Sequence, residues 1–277
     1  MSTKIFVESD AEARSRFRTT RTNATRAQRS QHLQSAVLDQ DSVPLKRIQV
    51  WDLPLRVFHW ALVAAVSVAI VSGEIGGSWM ELHAKAGLTI LGLVVFRLVW
   101  GVIGSSNARF VNFAPTAAKL RSYLRGRWKG HGHNPLGALS VFALLALLAV
   151  QAGSGLFGND DIAFTGPLYA LVDEALSGRL TGLHKQLANL LLGLLALHIV
   201  AIFVYLRLKK DNLIKPMVRG WKEVRSGESQ RQGSVAALLV ALALALAAVW
   251  LASGGILHKA PAAAKPAAVQ QSTQPTW

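Results

Sequence analysis

The sequence contains no cysteine among its 277 residues. A chain without cysteine forms no disulfide, no thiolate zinc site and no cysteine-bound iron–sulfur cluster. The covalent haem attachment motif C-x-x-C-H is excluded for the same reason. Any metal must therefore be held by histidine or by oxygen ligands.

Charge is also scarce, because only 16% of the residues are charged while 51% are hydrophobic. Four uncharged apolar stretches approach or exceed the ~20 residues that a helix needs to cross a bilayer. A fifth stretch is apolar but carries Lys85 and Arg97. We predict an all-α, polytopic membrane helix bundle. Its five transmembrane helices are expected at about 55–73, 84–104, 135–157, 184–207 and 233–253.

The net charge is +15, and the basic residues are concentrated in the N-terminal arm and in the connections 105–133 and 207–231. The two other connections are acidic; they and their flanks contain Glu74, Glu81, Asp160, Asp161, Asp173 and Glu174. This alternation is the positive-inside pattern of membrane proteins. It predicts a cytoplasmic N-terminus and basic loops that contact anionic lipid, and it argues against nucleic acid as a partner. No signal peptide is expected, because the first 50 residues contain no apolar core.

Four of the eight histidines fall at or within predicted helices. His184 and His198 are fourteen residues apart on one helix, which corresponds to roughly 21 Å along the axis and to nearly the same side. The topology places His59 at the inner depth of His198 and His83 at the outer depth of His184. Each side of the membrane therefore receives two histidines from different helices.

Two facing imidazoles in an apolar helix bundle are the ligands that a six-coordinate b-type haem requires. We therefore predict two non-covalent haem b groups with bis-histidine iron, one bound by His59 and His198 and the other by His83 and His184. Interfacial placement, helix–helix hydrogen bonding and a proton relay are the alternatives. A relay usually includes intramembrane carboxylates, and the predicted spans contain none.

Several segments together resemble the bacterial cytochrome b-561 family, which includes the b-type cytochrome subunits of nickel–iron hydrogenases. The resemblance covers about 48–222 and rests on "VWDLPLRVFHW", "LHAKAG", "FRLVWGVIGSSNARF", "GHNPLG" and "LHKQLANLLLGLLALH". It implies a four-helix di-haem core in the bacterial cytoplasmic membrane, with ligands at His59, His83, His184 and His198. It also implies electron transfer between the quinone pool and a redox protein partner.

Four further residues are weaker candidates on the inner side. Arg56, Arg97 and Arg109 are candidates for pairing with haem propionates, and His133 for contact with a propionate or a quinone. The alternative for the arginines is that their side chains extend to the membrane interface, and the alternative for His133 is that it caps the loop. Asn134 and Pro135 are expected to set the start of the third helix.

The expected organisation has four parts. They are a disordered basic arm (1–48), the di-haem domain (49–222), an extra transmembrane helix (223–258) and a flexible tail (259–277). The arm and the extra helix depart from the family pattern, so they leave the redox partner open. A c-type cytochrome, a dehydrogenase and superoxide are candidates, and a homodimer is a candidate assembly.

The function expected from these patterns is electron transfer, either as a carrier or as a subunit of a quinone oxidoreductase. Two other functions are kept as alternatives. One is a transporter or channel whose histidines relay protons, and the other is a haem-free anchor subunit for a peripheral oxidoreductase.

Overall fold

The computed structural model describes residues 28–29, 46–127, 134–162, 164–224, 229 and 231–255. His133, most of the basic arm and the C-terminal tail lie outside the described residues. Two compact units are present, and the larger comprises Ile48–Lys222 and Glu228–Trp277. The smaller comprises Met1–Arg47 and Glu223–Gly227, and in it Arg47 Nε donates to Glu223 Oε1 at 3.1 Å.

Five helices of the described residues are long and apolar enough to cross a membrane. They are α1 (Leu53–Ile75), α2 (Met80–Ile103, preceded by a 3₁₀ turn at Gly77–Trp79), α5 (Pro135–Gly155), α6 (Glu174–Arg207) and α8 (Val235–Ala252). The predicted all-α membrane bundle is therefore confirmed. Between them lie the shorter helices α3 (Phe110–Phe113), α4 (Ala117–Leu124) and α7 (Ile214–Arg219) and a 3₁₀ turn at Tyr169–Leu171. Strand β1 (Lys46–Gln49) precedes α1 and pairs with β2 (Trp221–Val224), which precedes α8.

Polar side chains cap the N-termini of four of the five membrane helices, α2 being the exception. Asp52 accepts from the Leu55 N–H at the start of α1, and Asn134 accepts from the Gly137 N–H at the start of α5. Such caps satisfy backbone donors that have no partner within the helix. Pro135 is the first residue of α5, so the expected start of this helix at Asn134 and Pro135 is confirmed.

One helix boundary differs substantially from the sequence prediction. Helix α6 begins at Glu174, ten residues before the expected position, because Asp173 caps it and accepts from the Leu176 N–H at 2.7 Å. Hydropathy detects only the apolar part of this helix and misses its polar first turns. Residues 174–183 are thus the first turns of α6, and the 3₁₀ turn Tyr169–Leu171 precedes them.

The core of the larger unit joins four of the long helices. Helix α1 packs on α2, α2 packs on α5, and α5 packs on α6. Leu191 of α6, 6% exposed, belongs to the same buried cluster as Val66, Val94 and Leu148 of the other three helices. The fifth span, α8, packs on α2 through buried alanines, and Val249 of α8 lies against Gly92. Small residues let helix backbones approach closely in a membrane.

Candidate functional site: histidines at two levels of the bundle

The histidines lie near two ends of the bundle, which we name by the charge of the adjacent loops. The acidic end is next to residues 76–79 and the described part of 156–173, and the basic end is next to residues 104–127 and 208–222. His83 and His184, the acidic-end pair, are at the former, and His59 and His198, the basic-end pair, are at the latter. All four side chains are half-buried.

The acidic-end pair forms a direct ring contact. The ring centroids of His83 and His184 are 5.9 Å apart, and the ring planes are nearly perpendicular at 81°. His83 comes from α2 and His184 from α6, two helices that each pack mainly on other neighbours. The contact therefore joins the two helix pairs α1–α2 and α5–α6 at this level.

Each ring of this pair donates its Nδ1 hydrogen to a backbone carbonyl of the helix beside it. His83 Nδ1 donates to Ala69 O at 2.8 Å, and His184 Nδ1 donates to Gln151 O at 2.9 Å. A neutral imidazole that donates through Nδ1 keeps the lone pair of Nε2 for a metal. Both rings are therefore held in the tautomer of a metal ligand.

The basic-end pair is held differently. The ring of His59 meets that of Trp60 edge-on, with 5.5 Å between the ring centroids. Within the described part of the chain, no residue forms a hydrogen bond with either imidazole.

Leu191 separates the two levels. It lies seven residues after His184 and seven before His198, so roughly 10 Å of helix axis separates it from each. It is buried against α1, α2 and α5, whereas the histidines on either side of it are half-buried. The bundle therefore has an apolar layer between two histidine-lined levels.

The three candidate arginines have different surroundings. Arg97 is 2% exposed; its Nη1 donates to Ala108 O at 3.1 Å, and its guanidinium lies 4.5 Å from the ring centroid of Phe110. Arg109 Nε donates to Gly104 O at 2.9 Å. These two side chains bind the connection after α2.

Arg56 retains an unused donor at the basic end of the bundle, where its guanidinium lies against Gly220. Its Nη1 donates to Val218 O, but its Nε is buried and has no partner within the described residues. It lies one turn before His59 on α1. An unpaired buried N–H is costly, so this atom is a candidate for binding an acceptor from outside the chain.

Sequence reasoning missed the residues that contact the acidic-end rings. These are Ala69 and Gly73 of α1, and Gln151, Ser154 and Gly155 of α5. A glycine inside an apolar helix was the available signal, since it costs about 1 kcal/mol relative to alanine and often marks a close approach.

An apolar helical bundle with paired histidines at two levels is the architecture of a membrane cytochrome. The family model for prokaryotic cytochrome b561 matches residues 50–220. The chain therefore belongs to this family, as its motifs predicted. It is an integral membrane b-type cytochrome of electron transfer, a class whose cofactor is haem b.

Curated relatives carry related names. The chain is 22% identical to a probable Ni/Fe-hydrogenase 1 B-type cytochrome subunit of Escherichia coli K12, over 65% of its own length and 92% of the relative's. It is 23% identical to a probable Ni/Fe-hydrogenase B-type cytochrome subunit of Azotobacter chroococcum mcd 1 and 26% identical to that of Azotobacter vinelandii, in each case over 63% of this chain and 88% of the relative. No solved structure matches.

Proposed function

We propose that this protein binds two haem b groups and transfers electrons across the bacterial cytoplasmic membrane, between the quinone pool and a redox protein. The proposal rests on the acidic-end pair. Its two rings lie 5.9 Å apart on different helices, and both Nδ1 atoms donate hydrogen bonds to backbone carbonyls. His83 and His184 would hold one haem, and His59 and His198 the other.

The residues of the chain fit such groups. At the acidic end, Gly73 and Gly155 leave the space that the two rings use. At the basic end, the unused Nε–H of Arg56 is a donor suited to a haem carboxylate. The absence of cysteine agrees with haem that is not covalently attached.

The chain contributes ligation, orientation and a low-dielectric setting. When bound, each haem supplies a one-electron iron couple. The imidazoles would bind iron through Nε2, while the carbonyls of Ala69 and Gln151 fix two of the rings. Leu191 and its neighbours exclude water between the two levels.

The partner and the topology are part of the same proposal. Relatives named as hydrogenase cytochrome subunits support a redox enzyme as the partner. The basic loops support a cytoplasmic N-terminus, because lysine and arginine are retained on that side. Residues 49–222 would form the di-haem domain, and the segment with α8 an added transmembrane helix.

The decisive experiment is a reduced-minus-oxidised visible spectrum of the detergent-purified full chain, with the extracted haem counted per polypeptide. The expected result is about two haems with low-spin b-type bands. One haem would limit the proposal to a single histidine pair. A protein made with ample haem that contains none would overturn it.

A further inference from the structure

The contacts around His83 and His184 repeat the same arrangement on two different helices. On α1 the segment runs Ala69, Ile70, Val71, Ser72, Gly73, and on α5 it runs Gln151, Ala152, Gly153, Ser154, Gly155. In each, the first residue offers a carbonyl, the residue three positions later is serine, and the residue four positions later is glycine. We refer to Ala69–Gly73 and Gln151–Gly155 as the two seats.

The glycine of each seat leaves the space in which a histidine ring lies. A Cβ on Gly73 would be 2.9 Å from His83 Nδ1, and a Cβ on Gly155 would be 3.0 Å from His184 Cε1. Since real Cβ atoms rarely make contacts this short, an alanine at either position would displace the ring. The displaced ring would also lose the short hydrogen bond from its Nδ1 to the carbonyl of Ala69 or Gln151.

The serine of each seat is buried and contacts the same carbonyl. Ser72 is 1% exposed, and its Oγ donates to Val68 O at 2.6 Å and lies 3.3 Å from Ala69 O. Ser154 is 5% exposed, and its Oγ donates to Gln151 O at 3.0 Å and lies 3.3 Å from His184 Nδ1. Both carbonyls are therefore shared between a hydroxyl and an imidazole.

The seat on α5 has an additional contact. Gln151 Nε2 donates to His184 O at 3.1 Å, while Gln151 O accepts from the ring of the same histidine. Gln151 thus binds both the backbone and the side chain of His184. The seat on α1 has alanine at this position, so it holds only the ring.

From these contacts we infer that Gly73 and Gly155, with the carbonyls of Ala69 and Gln151, are matched positioning residues that set the tautomer and the orientation of the two imidazoles at the acidic-end haem. The inference rests on the proposed function, because it assumes that His83 and His184 are ligands. According to this inference, Gly73 and Gly155 affect the ligand orientation of the acidic-end haem and leave the basic-end haem unchanged.

The test uses Gly73→Ala and Gly155→Ala, with Gly87→Ala and Gly153→Ala as matched controls. A Cβ at Gly87 or Gly153 would meet nothing within 4 Å, although Gly153 lies in the α5 seat and Gly87 one turn after His83. The readout is the low-temperature EPR spectrum of the full chain, in which low-spin haems are resolved by ligand orientation. The signal missing from His83→Ala identifies the acidic-end haem.

The expected result is that Gly73→Ala and Gly155→Ala each displace or abolish the acidic-end signal, leave the other signal in place and resemble one another. Both controls should match the wild type. The inference is overturned if the four glycine variants behave alike, or if both haem signals change together in folded protein. If His83→Ala retains both haems, His83 is not a ligand and the proposed function fails. If only Gly73→Ala retains a wild-type spectrum, the ligand assignment stands and the inference about the glycine fails.

A second comparison covers the case in which Gly73→Ala does not fold. His83→Gly removes the ring that the new Cβ would strike, and free imidazole can then occupy the ligand position. In this background Gly73→Ala should be tolerated. Imidazole should restore the acidic-end signal in His83→Gly, whereas in the double variant the restored signal should be displaced or absent, because the new Cβ fills the space of the ring. A double variant that still fails to fold would show that Gly73 serves a need unrelated to His83, and would overturn the inference for α1.

Discussion

The acidic-end and basic-end pairs each contain two imidazoles from different helices, but the chain holds the two pairs by different means. At the acidic end, two carbonyls fix the rings and two glycines leave them space. At the basic end, no imidazole is hydrogen-bonded within the described residues, and a buried arginine N–H is unused nearby. Identical ligands in different surroundings give different metal properties. The two sites are therefore expected to differ in potential and in rigidity.

The largest expected effect comes from removing one proposed haem ligand at each level. His184→Ala should remove the acidic-end haem and His198→Ala the basic-end haem, so that each variant falls from about two haems per chain to about one. The spectra of the two variants should add up to that of the wild type. Extraction and counting of haem, with EPR of each variant, provides the measurement.

Alanine variants of the other two histidines test which histidines share a haem. His83→Ala should reproduce the spectrum of His184→Ala, and His59→Ala that of His198→Ala. If His83→Ala instead resembled His198→Ala, the two levels would be paired wrongly, even though all four histidines were ligands.

The layer between the two levels should carry the next largest effect. Leu191→Ala removes a buried side chain shared by four helices and should reduce stability by about 2 kcal/mol, at the lower end for leucine truncations in a core. Both haems should remain bound but be lost at a lower temperature. Thermal loss of the haem absorbance band in detergent measures this.

Leu190→Ala is the control, because Leu190 is 53% exposed on the same helix. It should change the temperature of haem loss little. Equal effects of the two substitutions would mean that the leucine layer does not hold the levels together.

The five spans and the placement of the histidines could be predicted from the sequence, but the contacts that hold the acidic-end rings could not. Hydropathy and charge alternation gave the five spans, and helical spacing put His184 and His198 on one side of α6. The seats could not be predicted, because they depend on which carbonyl of α1 or α5 faces a ring on the next helix. That relation is set by helix packing, for which Gly73 and Gly155 gave only a general signal.

The arginines illustrate the same limit. Arg56, Arg97 and Arg109 are equivalent in sequence, as cations close to predicted inner helix ends. The structure gives Arg97 and Arg109 backbone partners in the connection after α2, and leaves only Arg56 with an orphaned Nε. Because these partners lie in loops without regular spacing, no sequence period distinguishes the three residues.

A smaller effect is expected from Arg56→Gln, which should lower the midpoint potential of the basic-end haem. Loss of a nearby positive charge disfavours the reduced state. A change of about 1 kcal/mol corresponds to roughly 40 mV for a one-electron couple. Redox titration monitored at the haem bands measures the shift, and the acidic-end potential should not move.

Arg109→Gln is the matched control for that titration, since Arg109 Nε is bound to Gly104 O. It removes the same charge from the same end of the bundle. If it lowered the basic-end potential as much as Arg56→Gln does, the shift would come from the loss of any positive charge at this end of the bundle. The unpaired Nε of Arg56 would then have no specific role.

The smallest effect should distinguish the two seats from each other. Ser154 Oγ donates to Gln151 O, the carbonyl that also accepts from His184. Ser154→Ala should make this carbonyl a better acceptor for the imidazole N–H, increase the electron donation of His184 and lower the acidic-end potential. A change of about 0.5 kcal/mol corresponds to roughly 20 mV.

Ser72→Ala should shift the same potential less, because Ser72 donates mainly to Val68 O at 2.6 Å and only weakly contacts Ala69 O. Ser67, exposed on α1 and bonded to Val63 O, supplies a control that should show no shift. The expected order is therefore Ser154, then Ser72, then Ser67. A reversed order would mean that the carbonyl of Gln151 does not transmit the serine hydrogen bond to the ring, and that the two seats act through the space left by their glycines alone.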